Sequence, residues 1–294
     1  MRSSSTTGSR DKSTGRTETG SKRRNSGRGP NRLYVVSLGP GDLAYLSKRA
    51  VEILNSVRVV VGYKTYIRLI DELLEGKEVI STGMRAEIDR VNMALEHALQ
   101  GRNTAIVSSG DAGVYGMAGL VLEVCQQRNL RVALPGKFSA SPHDILLEIV
   151  PGTPALCAAA ALLGAPLMHD FVSVSLSDLL TPWEVIADRV RHAAKADFVL
   201  VLYNPRSKKR DWQLGAVQEI VLKYRDKDTP VGIVRKAMRA GQKVHITTLS
   251  QMHTIEVDMR TIVIVGNSKS YVFQDLMITP RGYLDKYPMS KGEK

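Results

Sequence analysis

Cysteine is nearly absent from this chain of 294 residues, which has only Cys125 and Cys157. Two cysteines exclude a disulfide scaffold and a zinc cluster, and they suit a reducing compartment such as the cytoplasm. Aromatic residues make up only 5% of the chain, with two Trp and four Phe, so there is little to stack on nucleic-acid bases. No apolar run reaches about 18 residues, which excludes a membrane-spanning helix. The six histidines lie apart, with no pair at i, i+4 and no neighbouring cysteine, so no protein-made metal site is expected. Neither G-x-G-x-x-G nor G-x-x-x-x-G-K-[ST] occurs, which leaves a dinucleotide fingerprint and a P-loop unsupported.

What is present is ordinary for a globular enzyme-sized chain. Hydrophobic residues are 43% and charged residues 24%, enough to build a core without cross-links. The net charge is +12, and it is unevenly placed. Residues 1–31 hold eight basic and two acidic residues, half of that excess. Met1 is their one hydrophobic residue. Such a segment cannot bury enough apolar surface to offset its ordering entropy, and it reads as a disordered basic tail. Its Arg and Ser leave a transit peptide as an alternative, against which stand the two acidic residues and the missing amphipathic pattern, while the missing apolar stretch excludes a secretory signal. The remaining positive field favours an acidic ligand without identifying one.

Order is expected from Arg32. Short β-branched runs predict strands over 33–38, 57–61, 77–80, 103–108 and 146–150, then over 171–175, 198–202, 230–234, 243–247 and 261–265. Helical periodicity is expected over 43–55, 64–74, 86–100 and 117–128, then over 155–163, 182–194 and 212–224. Strand and helix alternate, which predicts an α/β fold with a mostly parallel sheet covered by helices. Pro- and Gly-containing sequence near 150 divides the chain into an N-terminal domain (32–150) and a C-terminal domain (151–284). A short tail (285–294) follows. Residues 135–144 read as a loop. Cys125 and Cys157 both fall in apolar helical patterns and read as packed core thiols.

Four predicted strands or short runs end in turns rich in Gly or Pro, at 39–42, 109–113, 151–154 and 203–205. Ligands of open α/β sheets bind at the carboxyl ends of strands. Glycine there allows close backbone approach, and proline sets the turn. Each turn alone could be a plain strand-to-helix connection. Together and in order, Gly39-Pro40-Gly41-Asp42, the segment Ser109 to Gly116, Pro151-Gly152-Thr153-Pro154-Ala155 and Tyr203-Asn204-Pro205 resemble the motifs of the tetrapyrrole methylases. The resemblance covers essentially all of 32–284. Finer strings are similar to the members that methylate C17 of precorrin-3B or cobalt-factor III in cobalamin biosynthesis. They are 61–66, Gly83-Met84, 113–118, 175–183 and 203–208.

The resemblance implies two α/β domains with a cofactor cleft between them, usually in a homodimer. The methyl donor would be S-adenosylmethionine, leaving S-adenosylhomocysteine. Its implied contacts are Pro40, Ser109, Gly110, Asp111, Val114, Pro154, Ala155, Asn204 and Ala237. Thr153-Pro154 departs from the family, where a β-branched residue is followed by Thr, so a hydroxyl contact at 154 is lost. Methylation with ring contraction also needs protons moved, and the candidate acids or bases are His169, Asp170, Asp178 and Tyr115. Each has a plain structural alternative, as a turn, cap or packing residue. A macrocycle bearing many carboxylates needs cations. Lys64, Arg206, Lys208 and Arg235 are the candidates, with Lys209, Arg210, Arg85 and Lys236 nearby. The alternatives are methylation at C11, C2 or C20 of a related precorrin, modification of diphthamide or rRNA, and an RNA-binding role for the basic tail. No membrane or nucleic-acid partner is expected in the leading reading.

Overall fold

The computed structural model describes residues 31–136, 144–207 and 210–287. The proposed tail before Asn31, most of the 135–144 loop and Lys208 therefore lie outside the described residues. The first half forms a six-stranded sheet. Its strands are β1 (Asn31–Ser37), β2 (Val59–Tyr63), β3 (Glu78–Thr82), β4 (Thr104–Ser108), β5 (Val132–Ala133) and β6 (Ile145–Val150). Their order is β3-β2-β4-β1-β6-β5, and every pair is parallel.

Side chains alternate across a strand, so a sheet covered on both faces needs apolar residues at every position. Leu33, Val35, Val61 and Ile106 pack with α3 (Glu87–Leu99) and α4 (Met117–Gln127) on one face. Val36, Val60, Ala105 and Val107 pack with α1 (Lys48–Ser56) and α2 (Lys64–Ile67) on the other. The helix expected over 43–55 is broken. A 3-10 turn over Leu43–Tyr45 precedes α1, which starts where the Ser47 hydroxyl accepts from Ala50 N at 3.1 Å. Such a cap sets a helix start more firmly than apolar periodicity does.

The second half begins with α5 (Ala155–Leu163) and the two-residue strand β7 (Gly164–Ala165). A five-stranded sheet follows, built from β8 (Phe171–Ser175), β9 (Val199–Tyr203), β10 (Pro230–Arg235), β11 (Lys243–Thr248) and β12 (Thr261–Val265). Its order is β11-β10-β12-β9-β8. Only β8 and β9 run parallel; the other pairs are antiparallel. This corrects the expectation of a mostly parallel sheet for this half. The link between β10 and β11, residues 236–242, is too short for a crossover helix, so the strands must turn back on each other.

One face of the second sheet (Leu200, Leu202, Val231, Ile233) packs on α6 (Trp183–Lys195) and α7 (Gln213–Val221). The other face (Val199, Val201, Val234, Ile262) packs on α5. A small sheet of β13 (Tyr271–Phe273), β14 (Leu276–Ile278) and β7 was not expected, because two- and three-residue strands carry no readable period. Cys125 is buried as expected, but Cys157 is exposed. On α5 the buried positions are Leu156, Ala158, Ala159 and Leu163, and Cys157 points away from them. Among the described residues no helix is long and apolar enough to cross a membrane.

Packing in the first sheet leaves no room at Gly62 in β2. A Cβ there would sit 2.6 Å from Val107 Cγ2 and 2.9 Å from Ile67 Cδ1. Gly62→Ala is expected to cost about 1–3 kcal/mol of stability through overpacking, read as a lower urea midpoint at unchanged slope.

Candidate active site

Because β1, β4 and β6 are parallel neighbours, their carboxyl ends open on one edge of the sheet. The loops that leave them are tied by backbone. Gly39 N donates to Gly110 O at 3.0 Å, and Gly110 N donates to Gly39 O at 2.7 Å. Both glycines have positive φ, 64° and 69°, which suits residues without a Cβ. The Asp111 carboxylate holds the third loop: Oδ1 accepts from Gly113 N at 2.8 Å and Oδ2 from Gly152 N at 2.9 Å. Ser37 Oγ accepts from Ala112 N at 2.8 Å. Gly152 must be glycine, since a Cβ would meet Ser37 Cβ at 2.6 Å and the Gly110 carbonyl at 2.8 Å.

The second half closes on these loops through Tyr115, Tyr203 and Arg239. Alternation along β9 turns Val199, Val201 and Tyr203 toward α5. The Tyr203 hydroxyl accepts from Leu156 N at 2.9 Å. Helix α5 has Pro154 as its N-cap and makes no side-chain cap bond there. Tyr203 thus supplies the acceptor that a hydroxyl residue at 154 would have offered. Burial pushes the Tyr203 phenol up to about 12, against the pull of its bond to the Leu156 amide. The Tyr115 ring lies 5.0 Å from that of Tyr203, and its hydroxyl donates to Ser173 O at 3.0 Å. Arg239, in the turn after β10, donates from Nε to Pro40 O and from Nη2 to Ser109 Oγ at 2.6 Å.

The turn after β9 is held separately. Asn204, at φ 52°, donates from Nδ2 to Ser175 Oγ at 3.0 Å. The buried Arg210 donates to Asn204 O and to Ser177 Oγ, each at 2.9 Å.

A family model described as Tetrapyrrole (Corrin/Porphyrin) Methylases matches residues 32–253. The chain belongs to this family. A probable cobalt-factor III C(17)-methyltransferase of Salmonella typhimurium is 47% identical over 251 residues, covering 85% of this methylase and 99% of that protein. A cobalt-factor III methyltransferase of Priestia megaterium is 45% identical over 263 residues, covering 90% of the chain. The chain spans about half of that relative's length, 47%. The crystal structure of the methyltransferase CobJ superposes with a TM-score of 0.74 at 35% identity, covering 84% of this chain and 99% of that one.

The expected site residues of the methylase separate into two groups. Pro40, Ser109, Gly110, Asp111, Val114 and Tyr115 lie on the two joined loops, and Pro154 and Ala155 lie at the start of α5. Ala237 is buried among the residues that face α5, together with Val114 and Tyr203. They bring backbone and short side chains of these loops to one edge of the first sheet, beside the Tyr115 and Tyr203 rings, a lining of small polar and aromatic groups that suits a nucleoside. The remaining candidates lie on either side of β8. His169 and Asp170 lie just before β8, a strand's length of roughly 16 Å from Ser175. There His169 Nδ1 accepts from Asp170 N at 2.8 Å. Asp178 is engaged as well, accepting from Gln213 Nε2 at 2.8 Å with Arg210 Nη1 at 3.8 Å. Asp178 thus lies beside the arginine that holds the turn after β9.

Arg235 is likewise no open cation. It pairs with Asp258 at 2.9 Å and Glu256 at 3.1 Å, and as the neighbour of Val234 it faces away from α5. Lys64 and Arg206 are exposed. Sequence reasoning missed Arg239 and Arg90. Arg90 is buried and donates to Thr82 Oγ1 at 2.8 Å and to Gly83 O at 3.0 Å. Burial lowers its basicity. No local signal marks either residue, since their partners are set by how the elements pack.

Two outcomes follow for the methylase. Asp111→Asn turns an NH2 toward one of two backbone N–H groups. It is expected to cost about 1–3 kcal/mol and to lower the thermal midpoint, with Asp111→Ala at least as severe. The folded state holds the Tyr203 proton more tightly than the unfolded chain, so stability is full below pH 10 and falls as pH rises toward about 12. A phenolate absorbance titration should lose one late-titrating tyrosine in Tyr203→Phe relative to wild type, with the late titration of the buried Tyr66 retained in both.

Proposed function

We propose that this methylase transfers a methyl group from S-adenosylmethionine to C17 of precorrin-3B or cobalt-factor III, with contraction of the macrocycle, in cobalamin biosynthesis. The observation that carries the reading is the match to the Salmonella relative. It spans 99% of a protein named a probable cobalt-factor III C(17)-methyltransferase. Lys64 and Arg206, exposed near the ends of β2 and β9, are proposed to meet carboxylates of the macrocycle. We place the domains at 32–150 and 151–284, with the cleft between the two sheets, and the enzyme in the cytoplasm as a homodimer. The exposed Tyr271, Val272, Phe273 and Leu276 of the β13–β14 hairpin support a covered apolar surface.

When bound, S-adenosylmethionine supplies a methyl group already activated on a sulfonium. The chain's remaining task is alignment, which is where most of the rate of such a displacement is won. Asp111 holds the loops after β4 and β6 at fixed distance, and the Gly39–Gly110 pair holds those after β1 and β4. Pro40, Ser109, Gly110, Asp111, Val114, Pro154, Ala155, Asn204 and Ala237 would then present backbone and short side chains to the cofactor. The Tyr115 hydroxyl is held against Ser173 and borders the same loops. Tyr115, His169, Asp170 and Asp178 are the proposed acids or bases, and Tyr115 is the one that lies on these loops.

The test is anaerobic incubation of the protein with S-adenosylmethionine and cobalt-factor III, beside precorrin-3B. The expected result is a mass gain of one methyl group, located at C17 by NMR in a contracted ring. Methylation of neither, despite S-adenosylhomocysteine binding by calorimetry, would move the acceptor elsewhere in the family. Absence of binding would overturn the assignment of the cofactor.

A further inference from the structure

Among the described residues, Arg239 is the charged side chain that crosses from the second half onto the loops after β1 and β4. It sits in a turn where Lys236 and Met238 take positive φ, 52° and 54°, an unusual conformation for non-glycine residues. That turn aims the guanidinium past Gly41, where any Cβ would collide with it. Both bonds it makes are to neutral acceptors, Pro40 O and Ser109 Oγ. Among the described residues no carboxylate pairs with it, although Arg260 lies near enough to repel it. Burial lowers its basicity.

A half-buried cation without a counterion is costly, and it is stabilised when an anion enters. Among the described residues, the bonds from Nε and Nη2 leave Nη1 without a partner. The open Nη1–Nη2 edge has the fork geometry that takes a carboxylate bidentately. We infer that Arg239 is the carboxylate receptor of this cleft, pairing through its free Nη edge with the molecule bound on the Gly39 and Gly110 loops. The carboxylate belongs either to the amino-acid end of S-adenosylmethionine or to the rim of the macrocycle. The inference rests on the proposed function, in that it takes these loops as the ligand site.

The experiment compares wild type with Arg239→Met and Arg239→Lys by calorimetry and thermal melting. The probes are S-adenosylhomocysteine, 5′-methylthioadenosine (the same nucleoside sulfide without the carboxylate) and cobalt-factor III. If the cofactor is the source, Arg239→Met weakens S-adenosylhomocysteine by about 10- to 100-fold and leaves 5′-methylthioadenosine within about twofold. If the macrocycle is the source, cobalt-factor III weakens by that factor and S-adenosylhomocysteine does not. In either case Arg239→Lys should recover part of the loss, as a point charge without the fork. The inference is overturned if no ligand changes by more than about twofold. It is also overturned if S-adenosylhomocysteine and 5′-methylthioadenosine weaken in parallel with a lowered melting point, which marks a purely structural clamp. Failure of wild type to bind S-adenosylhomocysteine would instead remove the proposed function.

Discussion

The Asp111 carboxylate, with its oxygens divided between Gly113 N and Gly152 N, is the interaction on which the cleft's geometry depends. Parallel strands bring the loops after β1, β4 and β6 to one edge, but nothing in a parallel sheet fixes the distance between loops. A short, charged acceptor with two well-separated oxygens does so, because hydrogen bonds to an ionised group are stronger and shorter than neutral ones. The reciprocal Gly39–Gly110 backbone pair then locks the first two loops together. Glycine is required at 110 and 152 for different reasons, a positive φ at one and a crowded approach to Ser37 and Gly110 at the other.

The second sheet contributes through alternation. A strand has two faces, and the face toward α5 is also the face toward the cleft. Tyr203 falls on it at the end of β9 and caps α5 through Leu156 N. Arg235 falls on the opposite face at the end of β10 and is neutralised by Asp258 and Glu256. Burial raises the cost of the Asp258 charge, yet its bonds to Arg260 and Arg235 outweigh that and hold the carboxyl below the usual range. Two residues at strand ends, both read from sequence as near the site, thus have different fates through a single step of register.

Much of the fold was legible locally. Helix α5 and strands β8 and β12 have the residue ranges that periodicity predicts, and α3, α4 and α6 lie within a residue or two. The antiparallel pairing of β10, β11 and β12 was not legible, because strand direction depends on the partner, and the partner is distant in sequence. The short β13–β14 hairpin escaped for lack of length. The Gly- and Pro-rich turns were visible as motifs, since conformational demands are written in residue type. For His169, Asp170 and Asp178, residue type made them candidates, and only the structure gives their surroundings: Asp178 accepts from Gln213, and the other two lie just before β8.

What the sequence alone determined is the order of strands and helices, the double apolar coverage of the first sheet and the four turns at strand ends. These follow from side-chain period and backbone preference, both local properties. Only the tertiary structure decided which charges reach the cleft. Arg239 meets Pro40 and Ser109 across 199 and 130 positions of chain. No local rule connects such residues; their meeting is set by how two sheets pack and by the positive-φ turn that points one guanidinium between them.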